Sequence, residues 1–196
     1  MKRAWLAIAF CTVVTSAYAD DASVKIPPDQ RAFNSAVEYY RDAYNAASNE
    51  LAQGAQRPKR GKAICAALRK RKAVNWTGFV TELSSNGDGY GVLTIKTGNK
   101  ITVGTTNNAF SDIGADTLIK PGPVLDQAMA LSEGQAVRFS GTFVADQVDC
   151  VSEMSVTLSG SMDEPAYLIR FSKIEPIGEP PAKNPAGKSL LKQMLE

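Results

Sequence analysis

The sequence predicts a mainly β fold, a small barrel standing behind a helical extension. Three observations carry that expectation. Apolar residues recur at helical intervals before residue 72, the period changes to two from Ala73, and one short helical segment separates the third and fourth of the strands that follow.

Residues 1–19 have the layout of a secretory leader: Lys2 and Arg3, an apolar run from Ala4 to Val14, and a small-x-small site at Ala17-Tyr18-Ala19. Cleavage after Ala19 implies a periplasmic or secreted protein. The run is too short to span a bilayer and no later stretch reaches the ~18 apolar residues a span needs, so no transmembrane helix is expected. In residues 20–72, Asp29 after Pro27-Pro28 marks a helix start. Phe33, Val37, Tyr40, Tyr44, Ala47 and Leu51 then follow at alternating intervals of four and three, one continuous stripe over 29–53 that ends near Gly54. Pro58 and Gly61 point to a loop over 57–62. A second, basic helix is expected over 63–72, with Ile64 and Leu68 inward and its bases outward.

Strands are expected at 74–83, 90–97, 100–106, 135–145, 151–159 and 166–174. Val137, Phe139, Gly141 and Phe143 alternate with Arg138, Ser140 and Thr142, and Met154, Val156 and Leu158 alternate with Glu153, Ser155 and Thr157, so one face of each strand is buried. Asn86-Gly87-Asp88-Gly89 and Gly98-Asn99 supply hairpin turns. The excursion 107–134 contains Pro121-Gly122-Pro123 and a short helical pattern from Val124 to Leu131, closed by Gly134. Three strands, a helix and further strands is the order of an OB-fold barrel of five to six strands, here over 73–177, whose helix plugs one end. Residues 178–196 read as a flexible, Pro-containing tail.

The opening strand Asn75-Trp76-Thr77-Gly78-Phe79-Val80, the fourth strand from Gly134 to Phe143 and the closing strand Ala166–Ile174 resemble small exported bacterial OB-fold proteins of the tRNA-anticodon-binding-like type. The resemblance covers about 73–177 and rests on structural motifs, glycines beside strand valines where a barrel coils. It implies the fold and carries no ligand contact.

The chain has 22 Lys+Arg, 20 Asp+Glu and no His, and two of the bases lie in the leader. The remaining chain is neutral but segregated: eight bases and no acid occur from Arg57 to Lys72, leaving −8 elsewhere. Cys65 and Cys150 remain after the leader. In an oxidising compartment an even pair points to a disulfide, with two separate buried thiols as the alternative. Two cysteines without histidine make a poor metal site, and no cofactor is expected.

Absence of histidine excludes Ser-His-Asp and Cys-His nucleophiles. Ser189-Leu190-Leu191-Lys192 matches S-x-x-K but falls in the tail. Asp163-Glu164, and Asp146 with Asp149, have turn compositions, so the chain reads as a non-enzyme with a carboxylate-only hydrolase as the alternative. The expected function is a binding or assembly module of the envelope. Its face is placed on the polar side of strands two to four and the adjoining loop, through Trp76, Tyr90, Lys96, Thr105, Asn107, Asn108 and Arg138. Partners are another envelope protein, on which it docks as subunit or inhibitor, or an anionic envelope polymer. Nucleic acid is disfavoured by the few outward aromatics and the neutral balance.

Overall fold

The computed structural model describes residues 25–181. In chain order the elements are α1 (Pro28–Asn45), α2 (Glu50–Gly54), α3 (Gln56–Ala67), a 3₁₀ turn (Arg69–Arg71), β1 (Lys72–Ser85), β2 (Gly91–Gly98), β3 (Ile101–Gly104), α4 (Pro123–Met129), β4 (Ala136–Phe143), α5 (Leu158–Asp163) and β5 (Ala166–Pro176). The strands close into a barrel in the order β1-β2-β3-β5-β4. Only β3 and β5 pair in parallel. With α4 between β3 and β4, this is the barrel expected from the order of elements.

β1 is long because it serves two neighbours. Its first half pairs with β4 and its second half with β2, and register shifts at Ala73/Trp76 and Val80/Glu82 bend it between them. Trp76, Phe139, Phe143 and Tyr167 point inward and are buried. Phe33 of α1 enters this group, with its ring centroid 5.2 Å from that of Trp76 and 5.0 Å from that of Tyr167. Val37, Ile64 and Leu68 join the same core from the helical side, while Ile119, Ala128 and Leu131 join it from the α4 region. α4 lies by the β1–β2 turn, where a Cβ on Gly91 would stand 2.8 Å from Leu125 Cδ1. One helical layer therefore covers each end of the β1–β2 hairpin.

The helical region departs from its expected outline. α1 begins at Pro28, whose ring suits the first helical position. Asp29 is therefore not the cap, and its carboxylate instead accepts from the Trp76 indole N–H at 3.0 Å. The stripe is also interrupted: α1 stops at Asn45, Asn49 caps α2 by accepting from Ala52 N–H at 2.9 Å, and Leu51 is 86% exposed. Residues 57–62 form part of α3 rather than a loop. Pro58 sits in its first turn, where its missing N–H costs no intrahelical hydrogen bond. Gly61 belongs to the buried face because a Cβ there would strike the Val148 carbonyl oxygen. That close approach aligns α3 with residues 148–150, and Cys65 and Cys150 form a disulfide with Cα atoms 5.5 Å apart.

The expected strand at 151–159 does not form. The segment makes isolated bridges, Ala145 with Val151 and Glu153 with Tyr167, and then enters α5, capped by the Thr157 hydroxyl. Its alternation is not a buried face, since Val156 is 99% exposed. The bond to Cys65 and the left-handed backbone at Cys150 (φ 68°) hold it in a turn instead. The expected leader over 1–19, the tail beyond Pro181 and Ser189–Lys192 lie outside the described residues.

Candidate functional site

Strand alternation builds the most developed concavity. Trp76 and Val80 point into the barrel, so Phe79 between them points out, and it is 58% exposed. Register places it between Lys96 of β2 and Ala136 of β4. Gly78, Gly98 and Gly134 keep the floor low around it, and Ile26, just before α1, forms a wall. The resulting groove has a volume of about 830 Å³ and a mostly apolar lining. Lys96 is the one ionisable side chain on it among the described residues.

α1 holds this floor in place through polar side chains that satisfy strand ends. Asn34 donates from Nδ2 to the Thr97 carbonyl at 2.7 Å, and Arg41 donates to the carbonyls of Asn99 and Lys100 at 2.9 and 3.3 Å. Gly98 packs so closely that a Cβ would lie 3.0 Å from Asn34 Nδ2. The Thr97 hydroxyl is buried without a hydrogen-bond partner on the inward side of β2, which it shares with Leu93 and Ile95.

Of the residues expected to meet a ligand, the structure brings Lys96 to this groove. Trp76 is wholly buried and cannot present a ring to a ligand, because its six-membered neighbours in the core enclose it and Asp29 takes its N–H. Thr105 is also buried; its hydroxyl accepts from Leu93 N–H at 3.2 Å and donates to the Thr106 carbonyl at 2.8 Å, so it fastens β3 to β2. Tyr90 is half-buried beside the β1–β2 turn, Asn107 and Asn108 are exposed after β3, and Arg138 is exposed on β4 opposite Thr77 and Glu175. Sequence reasoning missed Ile26, Phe79 and the three glycines. The signal for Phe79 was present, since two inward neighbours at 76 and 80 oblige it to face out.

The loop containing Asn107 and Asn108 is organised by Asp112. Its carboxylate accepts from the Thr106 hydroxyl at 2.8 Å, from the Thr117 N–H at 2.7 Å and from the Thr117 hydroxyl at 2.8 Å. Burial alone would push its pKa up, but these donors and the Leu118 N–H outweigh burial and hold it below the ordinary carboxylate value.

The expected helix over 63–72 ends at Ala67, and its bases Arg69 to Lys72 are exposed on the turn and strand start that follow, whereas the segment expected as a loop buries a base in α3. Arg60 is fully enclosed: its guanidinium donates to the Ser161 carbonyl, to Ser161 Oγ at 3.0 Å and to Asp149 Oδ1 at 3.3 Å, and lies 5.8 Å from the centroid of the Tyr167 ring. Arg57 donates from Nε and Nη2 to Asp149 Oδ2 at 2.9 and 2.6 Å, and the bond to Asp149 raises its pKa. Asp149 thus holds two arginines across the join between α3 and the 145–163 excursion. Burial likewise pushes the Tyr167 phenol above its ordinary value. Asp146 accepts from the N–H groups of Val148 and Asp149, and Glu164 pairs with Lys100 at 2.8 Å. None of these carboxylates lines the groove.

Comparison with protein-family models, with curated proteins and with solved structures finds no match to this chain. Among the described residues, no helix is long and apolar enough to cross a membrane, and no group of three or more His, Cys, Asp or Glu side chains is arranged to hold a metal ion.

Proposed function

We propose that this chain is a non-enzymatic binding module of the bacterial envelope that holds a largely apolar ligand in the groove between Ile26 and Lys96. The observation that carries the reading is the groove's chemistry: a concave, apolar surface with exposed Phe79 at its centre and a single cation at its side. Its volume of about 830 Å³ falls within the range typical of small-molecule sites, about 300–1,000 Å³. Phe79 and Ile26 supply contact area, and Lys96 fixes an acidic end of the ligand. Asp146, Asp149 and Glu164 are committed to turns or ion pairs away from the groove. An envelope location is supported by the leader-like segment 1–19 and by the Cys65–Cys150 bridge, which suits an oxidising compartment.

Anilinonaphthalene sulfonate, an apolar ring system with one anionic group, is a suitable probe. The folded protein is expected to enhance its fluorescence, Phe79→Ser to abolish most of the enhancement, and Lys96→Ala to weaken it. A photo-crosslinking side chain at position 79, exposed to envelope extract, should then capture a species not captured from position 74, on exposed Val74 away from the groove. A small apolar acid supports the reading, and a protein of fixed stoichiometry supports a docking subunit instead. Equal dye response in wild type and Phe79→Ser would overturn the groove as the site.

A further inference from the structure

A second surface lies on the helices. On α3, Lys59, Lys62, Ala63 and Ala66 recur at i, i+3, i+4 and i+7, which makes one outward stripe opposite the buried residues Arg60, Gly61, Ile64 and Leu68. Between this stripe and α1 runs a shallow apolar trough lined by Ala63, Ala66 and Ala67 on one side and by Ala36, Tyr39 and Tyr40 on the other. Tyr39 is 67% exposed and meets Tyr40 edge-on, with ring centroids 5.0 Å apart.

Cations lie along α3 and on the turn that follows it. Lys59, Lys62, Arg69, Lys70, Arg71 and Lys72 are all exposed, and none forms an ion pair among the described residues. The sequence has no acid between Leu51 and Thr81. Glu38 and Asp42 of the adjoining α1 do not pair with these bases either. Lys70 and Arg71 both adopt the left-handed region, with φ 53°, which disfavours side chains larger than glycine, and yet both positions carry long basic residues.

We infer that this face docks on an anionic lipid bilayer, with Tyr39 and Tyr40 at headgroup level and the six bases against the lipid phosphates. An apolar strip beside aromatic hydroxyls and unpaired Lys/Arg is the composition of an interfacial surface. A nucleic acid would use aromatic rings interleaved with the cations, whereas the two tyrosines sit together on α1 and the bases on α3 and the turn after it. The trough is separate from the groove at Phe79, so the inference does not rest on the proposed ligand.

The test is co-sedimentation of the full chain with vesicles of phosphatidylcholine alone and of phosphatidylcholine mixed with phosphatidylglycerol. Binding is expected only to the mixed vesicles and should fall at high salt. The variant Lys59→Gln/Lys62→Gln/Lys70→Gly/Arg71→Gly should bind about 10²–10³-fold more weakly, at about five-fold for each neutralised cation. The two glycines relieve left-handed backbone, so thermal unfolding should show this variant as folded as wild type. The apolar run 4–14 is common to both chains and cannot produce the difference. Phe79→Ser should leave vesicle binding unchanged while it removes the dye response, which separates the two surfaces. Equal binding to both vesicle types, equal binding by the variant, or tighter binding to a single-stranded oligonucleotide than to anionic vesicles would each overturn the inference.

Discussion

The side-chain amide of Gln30 pairs with the backbone of Thr77 in both directions, donating to its carbonyl at 2.6 Å and accepting from its N–H at 2.9 Å. The β1–β2 ladder begins only at Phe79–Lys96, so Gln30 supplies the partner that β2 does not. The groove at Phe79 is therefore built on a strand end that a helix completes.

Replacing Gln30 by Ala would leave both Thr77 groups buried and unpaired. The expected loss is about 2–4 kcal/mol in urea unfolding, given the desolvation cost of each orphan. Ser35→Ala, at an exposed site on the same helix, should change stability by less than about 0.5 kcal/mol. Equal effects would mean that the Gln30 bonds contribute nothing.

Asp149 neutralises two arginines at once, one of them fully enclosed. Asp149→Ala should destabilise by about 3–5 kcal/mol, because Arg60 keeps its charge with no counter-ion. Arg60→Met should cost less, since Asp149 retains Arg57. Guanidinium unfolding of the two variants gives the order, and a reversed order would refute this account.

The Cys65–Cys150 bond closes a loop with a sequence separation of 85. Chain-entropy reasoning places its contribution at about 2–5 kcal/mol, to be read from unfolding of the Cys65→Ser/Cys150→Ser variant. Neither cysteine should react with a thiol reagent after unfolding without reductant. Labelling of both under those conditions would mean that no bond forms.

Asp112 gives the loop after β3 a pH dependence of known sign. Its folded pKa is depressed, so its stabilisation is complete above the unfolded value near 3.8 and is lost as pH falls through the lower folded value. Wild type should therefore exceed Asp112→Asn in stability at neutral pH, and the gap should close on acidification below about pH 4. Amide exchange at Thr117 and Leu118 locates the change. A gap that stays constant with pH would rule out the carboxylate as its source.

The barrel was legible because period-two burial and turn residues are local signals. Val137, Phe139 and Phe143 show their inward face in sequence, and Asn86–Gly89 shows its turn. What escaped depended on distant partners. Arg60 looks solvent-facing by type, yet Asp149 and Ser161 enclose it from about ninety to a hundred positions away, separations of 89 and 101. Gly61 looks like a helix breaker, yet it is the place where the Val148 backbone can approach. Met154 and Val156 alternate like a strand, but the bridge at Cys150 and the cap at Thr157 set their backbone first. Of the expected ligand residues, Lys96 reaches the groove because exposure follows from alternation, whereas Trp76 and Thr105 were claimed by α1 and β2.

Since β4 returns to β1, the described strands form a closed circuit, and what lies open along the wall is confined to strand ends such as the one Gln30 covers at Thr77. Such a cylinder offers little continuous main chain for a foreign strand to zipper onto, and the same closure denies neighbouring copies a long seam along which to stack into fibrils.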